Sequence, residues 1–492
     1  MSLKKQGFFN SITLYMGIAL GFFNSIILFQ RYLTLEEIGY FNLLIGISVI
    51  YTQITSLGVT NVIIRYFPFF KTHDKKHAGF PLFIFSLCSI SFIVVTLCFF
   101  IFKEIIFNYN SDSAGISLMS KYYHYIVPIS FFTLIFLLQE TFARANFINV
   151  FPAVLREVLL RVFTSIAILL IASNWINFNG FIIIYLLANI LIVVILSYYN
   201  HRLKIFNLAQ ITPKVHSEVK VMMNYGIISM LGGSALSLLP IISMLTLKMI
   251  NGEAAVGIFG TFFSIAAVIS LPAKALNTTS YQIISNAWKE EDLKKISSIY
   301  SKTSLVQLLI GGLLLIGLIV NQKNILYLLH KPDYGNFFSV FIILSCGFLI
   351  DITGGLNGAI VGFSKHYKIQ TRILISATVI CFFINIAMVS KFGLVGAAWS
   401  YLLTFLFLNF SYWLYIKLKF NIQPFGKKHA LIIIIGAFAL IVGLNLPNLT
   451  NYYFDVAYRS IIVTIVYGAL AYWFAISEDV NDLLNKLLKR LF

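Results

Sequence analysis

Charge is scarce in this chain. Asp, Glu, Lys and Arg together make up 11% of 492 residues, against roughly a quarter in ordinary soluble domains. Acids are scarcer than bases, 18 against 36, and apolar residues reach 59% with a mean hydropathy of +0.87. That composition excludes a water-soluble globule and marks a polytopic membrane protein. Cysteine is nearly missing: Cys88, Cys98, Cys346 and Cys381 each fall inside an apolar run, without CxxC or paired Cys/His spacing, so neither a disulfide framework nor a metal site is signalled. There is no HExxH, P-loop, GxSxG or glycine-rich nucleotide loop. Energy from bound ATP would have to come from another chain, which leaves ions or a substrate gradient. No loop is long enough to fold by itself. The largest outer stretch, Lys103 to Lys121, carries Asn108, Asn110, Ser111 and Asp112 as turn residues.

What the chain does have is apolar runs near spanning length, about 17–25 residues. Six fall near 8–29, 40–64, 80–102, 122–143, 154–173 and 180–199, six more near 224–247, 257–280, 303–320, 337–361, 372–390 and 394–416, and two near 430–446 and 459–476. The two sets of six repeat each other. Tyr185-Leu186-Leu187 after Gly180 returns as Tyr401-Leu402-Leu403 after Gly396, and Arg156 returns as Arg372, both 216 residues on, while Gly39 before Phe41 returns as Gly257 before Phe259. The fold expected is therefore all-α and polytopic, with about fourteen transmembrane helices: two six-helix bundles related by a pseudo-two-fold axis, plus two C-terminal helices. Its divisions are an N-terminal bundle (1–200), a basic cytoplasmic strap (201–223), a second bundle (224–418), two added helices (419–476) and a tail (477–492). The strap carries Arg202, Lys204, Lys214 and Lys220 against the acid Glu218. In the tail, Leu483, Leu484, Leu487, Leu488 and Leu491 form one helical stripe suited to an anionic inner leaflet, or to a solvated helix end.

Orientation follows from the basic residues. With the N-terminus inside, twenty-seven Lys and Arg fall on inner segments and eight on outer ones, with Lys274 left within a span. Both termini are then cytoplasmic. The same count accounts for most of the net charge of +18 without nucleic acid as a partner.

An ionisable group at bilayer depth costs at least about 2.5–3.5 kcal/mol and normally faces a cavity or a partner. Asp351, in LIDITGGLNGAIVGF, is the deepest acid, a candidate for proton or cation coupling or for gating, or else a paired structural carboxylate. Glu140 is a second coupling or gating candidate, with an ion pair to Arg144 one turn on as the plainer reading. Lys274, Lys248, Arg65 and Arg31 are candidates for a cationic cavity, or can snorkel to water. Spans one, two, seven and eight, as drawn above, hold no Asp or Glu.

At RYLTLEEIGYF (Arg31 to Phe41), LGVTNVIIRYF (Leu57 to Phe67) and KFGLVGAAWSYLLT (Lys391 to Thr404) the sequence resembles the polysaccharide transporter branch of the multidrug/oligosaccharidyl-lipid/polysaccharide (MOP) exporter superfamily, and within it the O-antigen flippases. The likeness runs the length of the chain. It implies a flippase that carries an undecaprenyl-pyrophosphate-linked oligosaccharide to the outer leaflet of the bacterial inner membrane by alternating access. No cofactor is implied beyond H⁺ or Na⁺ as a coupling ion. The implied partners are the lipid-linked oligosaccharide, membrane lipids and a polysaccharide polymerase machinery. In such proteins the cavity is basic, and Lys274, Lys248, Arg65 and Arg31 qualify by location. A related drug/cation antiporter would favour acids in the early spans of each half. A glycan polymerase or ligase needs a large outer loop, which is missing, and a scaffold for glycan assembly has only the basic tail in its favour.

Overall fold

The computed structural model describes residues 3–72, 76–107, 117–203, 205, 209–478, 480–482 and 485. Most of the expected tail, Lys204 of the strap and residues 108–116 of the outer stretch lie outside the described residues. All regular structure among the described residues is helical. Among the described residues ten helices are long and apolar enough to cross a bilayer, eleven if one bent pair counts as a single span, and the chain is a multi-pass membrane protein. The fourteen spans expected are not reached by length and apolarity alone. The segment 150–172 is helical but carries Arg156, Glu157 and Arg161. Pro213–Asn251 contributes only a shorter apolar stretch, Leu236–Asn251. Two expected spans, 372–390 and 394–416, fall on one helix, Tyr367–Phe420.

The chain divides into two compact units, 1–260 and 261–492. The first holds α1 (Phe9–Tyr32), α2 (Leu35–Ser56), α3 (Val59–Phe70), α4 (His77–Ile101), α5 (Leu118–Ala145), α6 (150–172), α7 (Phe178–Arg202), α8 (Pro213–Asn251) and the opening turns of α9 (253–289). Its core is aromatic: Phe41 meets Phe181 and Tyr185 edge-on at 5.0 and 4.9 Å, and the buried Tyr40 hydroxyl donates to the Tyr122 carbonyl at 2.9 Å. The strap is pinned where it is described, since Thr212 N–H donates to the Ala78 carbonyl at 3.1 Å and Lys214 to that of Phe69 at 3.1 Å.

The sequence stretches that carried the resemblance turn out to be joints. Thr34 opens α2 with a reciprocal cap, its hydroxyl accepting from Glu37 N–H (3.2 Å) while the Glu37 carboxylate accepts from Thr34 N–H (2.9 Å). One turn on, Gly39 lies so close to the start of α9 that a Cβ would stand 1.8 Å from the Glu253 carbonyl oxygen, and a Cβ on Gly257 would stand 2.2 Å from that of Leu35. The two glycines that repeat in the sequence are thus the crossing point of two helices. The second expected span, 40–64, is interrupted: Leu57 and Gly58 both take left-handed backbone, ending α2 and restarting the chain as α3.

The second unit holds the rest of α9, then α10 (Leu293–Val320), α11 (Gln322–Leu329), α12 (Phe338–Thr353), α13 (Asn357–Phe363), α14 (Tyr367–Phe420), α15 (Lys427–Leu444) and α16 (Tyr452–Trp473). A straight helix of 54 residues would run about 80 Å against a hydrocarbon layer of about 30 Å. Gly393 breaks it, with φ 53° and ψ −130°. A Cβ on Gly396 would sit 2.0 Å from the Met388 carbonyl oxygen, whereas eight residues of straight helix separate their ends by about 12 Å. The chain therefore doubles back there. The last two helices pack on α10 through Ile316, Val320, Ile435, Ala439 and Val463, and the buried Tyr467 hydroxyl donates to the Leu309 carbonyl at 3.0 Å.

Candidate functional site

A cavity of about 340 Å³ opens inside the first unit. Its wall is made by the end of α2 (Val49, Thr52, Gln53, Ser56), the Gly58 break with Thr60 and Asn61 at the start of α3, Thr133 and Leu137 of α5, Arg156 of α6, and Ser229, Met230 and Gly233 of α8. Hydroxyl and amide groups gather on this wall within an otherwise apolar bundle, and several have a local reason to be tolerated there. The hydroxyls of Ser56, Thr133 and Ser229 donate to carbonyls three or four residues back on their own helices, Gln53 (2.9 Å), Ile129 (2.8 Å) and Gly226 (2.9 Å). Gln53 donates through Nε2 to Ser237 at 2.7 Å, and its Oε1 is buried without a partner.

Arg156 is the cation of this cavity. It sits on a π-helical turn, Val154–Leu159, a widening that recurs at functional sites. Its guanidinium reaches Glu140 at 3.4 Å, and Glu140 also meets Arg144 at 3.9 Å, so this acid stands between two arginines. Reading charge from the sequence put Arg156 among inner-loop residues, and the signals in its favour were its place inside an apolar run and its return as Arg372.

The four basic candidates lie elsewhere. Arg31 is exposed in the last turn of α1. Arg65, expected at the end of the second span, is on α3 beyond the break, exposed, with its guanidinium 4.4 Å from the centre of the Tyr225 ring. Lys248 is half-buried near the end of α8, in electrostatic reach of Glu253. Glu253 corrects the expectation of an acid-free eighth span. The helix begins four residues earlier than the apolar run at 257, and its buried carboxylate accepts from Ser117 Oγ (2.5 Å), Leu118 N–H (3.0 Å) and Met119 N–H (2.8 Å), capping the start of α5. Lys274 is exposed on α9, in the second unit.

Around Asp351 the second unit builds a different polar cluster. The glycines following Asp351 interrupt the helix, so that α12 and α13 meet at 41°. Asn409 of α14 lies beside the Asp351 side chain and accepts from Asn357 at 2.6 Å, so one amide stands at both sides of the break. Ser304 Oγ donates to the last carbonyl of α12, Thr353, at 2.7 Å and meets His429 Nε2 at 3.1 Å. Lys274 is in electrostatic reach of Asp351. Among the described residues no three His, Cys, Asp or Glu gather as a metal-binding set.

Helices, breaks and the doubled-back α14 define an all-α membrane fold, and solved transporter structures share it. The chain superposes on a solved structure of the lipid II flippase MurJ in an inward closed conformation with a TM-score of 0.78 and 15% identity, covering 96% of this chain and 99% of that one. It superposes on an inward-facing multidrug resistance MATE family transporter of the MOP superfamily at 0.65 and 15%, covering 83% and 94%, and on a Vibrio cholerae MATE transporter at 0.58 and 12%, covering 85% and 97%. In sequence it is similar to an uncharacterized membrane protein of Methanocaldococcus jannaschii, 24% identical over 280 residues, 55% of this chain and 54% of that protein. The match thus spans about half the length of that curated relative. No family model matches the chain.

Proposed function

We propose that this protein is a transporter, not an enzyme: a flippase that carries a lipid-linked oligosaccharide, of the undecaprenyl-pyrophosphate type, across the cytoplasmic membrane by alternating access. The observation that carries the reading is the cavity of the first unit, where a guanidinium and several hydroxyl and amide groups are gathered within an otherwise apolar bundle. A glycan cannot cross hydrocarbon without exchanging its water for such groups, whereas its lipid can stay in the bilayer. The likeness of fold to a lipid II flippase supports the same reading. Orientation with both termini cytoplasmic rests on the distribution of Lys and Arg, and a polymerase would use the glycan once it has been turned outward. Arg31, Arg65, Lys248 and Lys274, none of which lines this cavity, are each proposed separately as cationic contacts for the phosphates.

Depletion of the protein should make lipid-linked glycan accumulate on the inner leaflet, and wild-type chain should clear it. Arg156→Ala is expected to clear it at least about tenfold more slowly with insertion unchanged, the loss of a charge-assisted contact worth about 1.5–3 kcal/mol. Undiminished clearance would remove Arg156 from the route. The alternative of a MATE-like drug/cation antiporter draws on the Asp351 cluster, and it predicts drug sensitivity on depletion with no glycan accumulation.

Asp351 is proposed as the point where H⁺ or Na⁺ enters the cycle, because it adjoins the α12–α13 break and shares Asn409 with it. Asp351→Asn keeps the shape and removes the charge. The variant should reach the membrane at normal levels, yet its transport should no longer respond to an imposed proton or sodium gradient. A gradient response equal to wild type would leave Asp351 with a structural role alone.

A further inference from the structure

The cavity of the first unit presents a set of oxygen acceptors beside a single guanidinium among its described residues, and this decides which part of a cargo it suits. Ser56, Thr133 and Ser229 have each spent their hydroxyl proton on a carbonyl of their own helix, so each offers lone pairs to the lumen. Gln53 has spent an amide hydrogen on Ser237, and its Oε1 waits, buried and unpartnered. Among the described residues of the wall the one cation is Arg156, and it already faces the Glu140 carboxylate at 3.4 Å, which offsets part of its charge. A pyrophosphate placed there would meet lone pairs and a half-neutralised guanidinium, and burying its charge without compensation is costly.

Resting on the flippase reading above, we propose that this cavity is a glycan subsite: it receives the hydroxyl groups of the sugar, which donate to Gln53 Oε1 and the serine and threonine oxygens, while Arg156 donates to a sugar oxygen. The phosphates of the cargo bind outside it. A volume of about 340 Å³ is near the small end of ordinary ligand pockets, about 300–1,000 Å³, and suits a sugar unit in preference to a whole lipid-linked oligosaccharide. A bare sodium ion also likes oxygen acceptors, but Arg156 on the same wall repels it.

The test uses the full-length protein in lipid nanodiscs and three probes: glycan released by mild acid from the host's own polyprenyl-linked pool, inorganic pyrophosphate and sodium chloride. The released glycan should bind saturably in calorimetry, and a large excess of pyrophosphate should leave that binding unchanged. Gln53→Leu is expected to weaken it at least tenfold. Thr133→Val, which keeps shape and removes only the oxygen, should weaken it severalfold and guards against a folding defect at position 53. Glycan that fails to bind wild type, pyrophosphate that competes with it, or sodium binding lost in Gln53→Leu would each overturn the subsite. Glycan binding without accumulation of lipid-linked glycan on depletion would overturn the flippase reading alone, and accumulation without glycan binding would overturn only the subsite.

Discussion

Replacing Arg459 with alanine is expected to destabilise the protein by about 3–5 kcal/mol, the cost of leaving a buried charge without its partner. Arg459 and Asp455 sit one turn apart on α16 with side chains only 6% and 5% exposed, and Nε donates to the Asp455 carboxylate at 2.7 Å. The rest of the guanidinium closes the end of α15 and the turn after it. It donates to the carbonyls of Gly443 (3.2 Å), Leu446 (3.1 Å) and Pro447 (3.0 Å) and to the Asn448 side chain (2.9 Å). The Gly443 carbonyl is among the last four of α15, which a helix end leaves without an intrahelical partner, and the other two belong to the turn that follows. Asp455 in turn accepts from Asn324 of α11 (2.7 Å) and from Leu449 N–H (2.9 Å). One ion pair therefore joins α11, the end of α15 and α16.

The measurement is thermal or denaturant unfolding of the purified protein in detergent. The joint replacement Arg459→Met with Asp455→Leu removes both charges and should recover a large part of the loss, because a buried pair is often replaceable by apolar groups of similar volume. Stability of Arg459→Ala within about 1 kcal/mol of wild type, the range of an exposed pair, would show that water reaches the site and that the network does not hold these helices.

The helical architecture was legible because it is written in runs: apolar residues at spanning length repeat along the whole chain, and few polar groups interrupt them. The repeat in glycine was legible too, and it encoded something specific, the crossing of α2 with α9 at Gly39 and Gly257. The cavity was not. Gln53, Thr133, Arg156 and Ser229 are scattered over nearly 180 residues with no motif to bind them, and each alone reads as an ordinary polar residue in an apolar helix. Only the break at Leu57–Gly58 and the π-turn at Arg156 bring them to one wall. Glu253 was passed over for a related reason, since hydropathy marks where a helix becomes apolar and a cap marks where it begins.

That break also supplies the sharpest contrast between two glycines of one cavity. Gly58→Ala is expected to cost about 2–5 kcal/mol, from two separate sources. Gly58 holds φ +71°, where a Cβ costs about 1–2 kcal/mol. The new methyl would also stand 2.0 Å from the Gly226 carbonyl oxygen, an overpacking worth about 1–3 kcal/mol. The atom in the way is backbone, so relief requires α8 to move off α3. Ser229 and Met230 lie one turn along α8 from Gly226 and line the cavity, so the displacement changes the cavity's width as well as the protein's stability. Gly233→Ala is the control: it too lines the cavity, yet a Cβ there meets nothing within 4 Å. In a helix interior that substitution gains about 1 kcal/mol through propensity. Unfolding measured side by side, with glycan binding as the second readout, should find Gly58→Ala less stable and weaker in binding and Gly233→Ala at least as stable as wild type. Equal effects from the two would mean that the contact between Gly58 and Gly226 does not set the shape of this cavity.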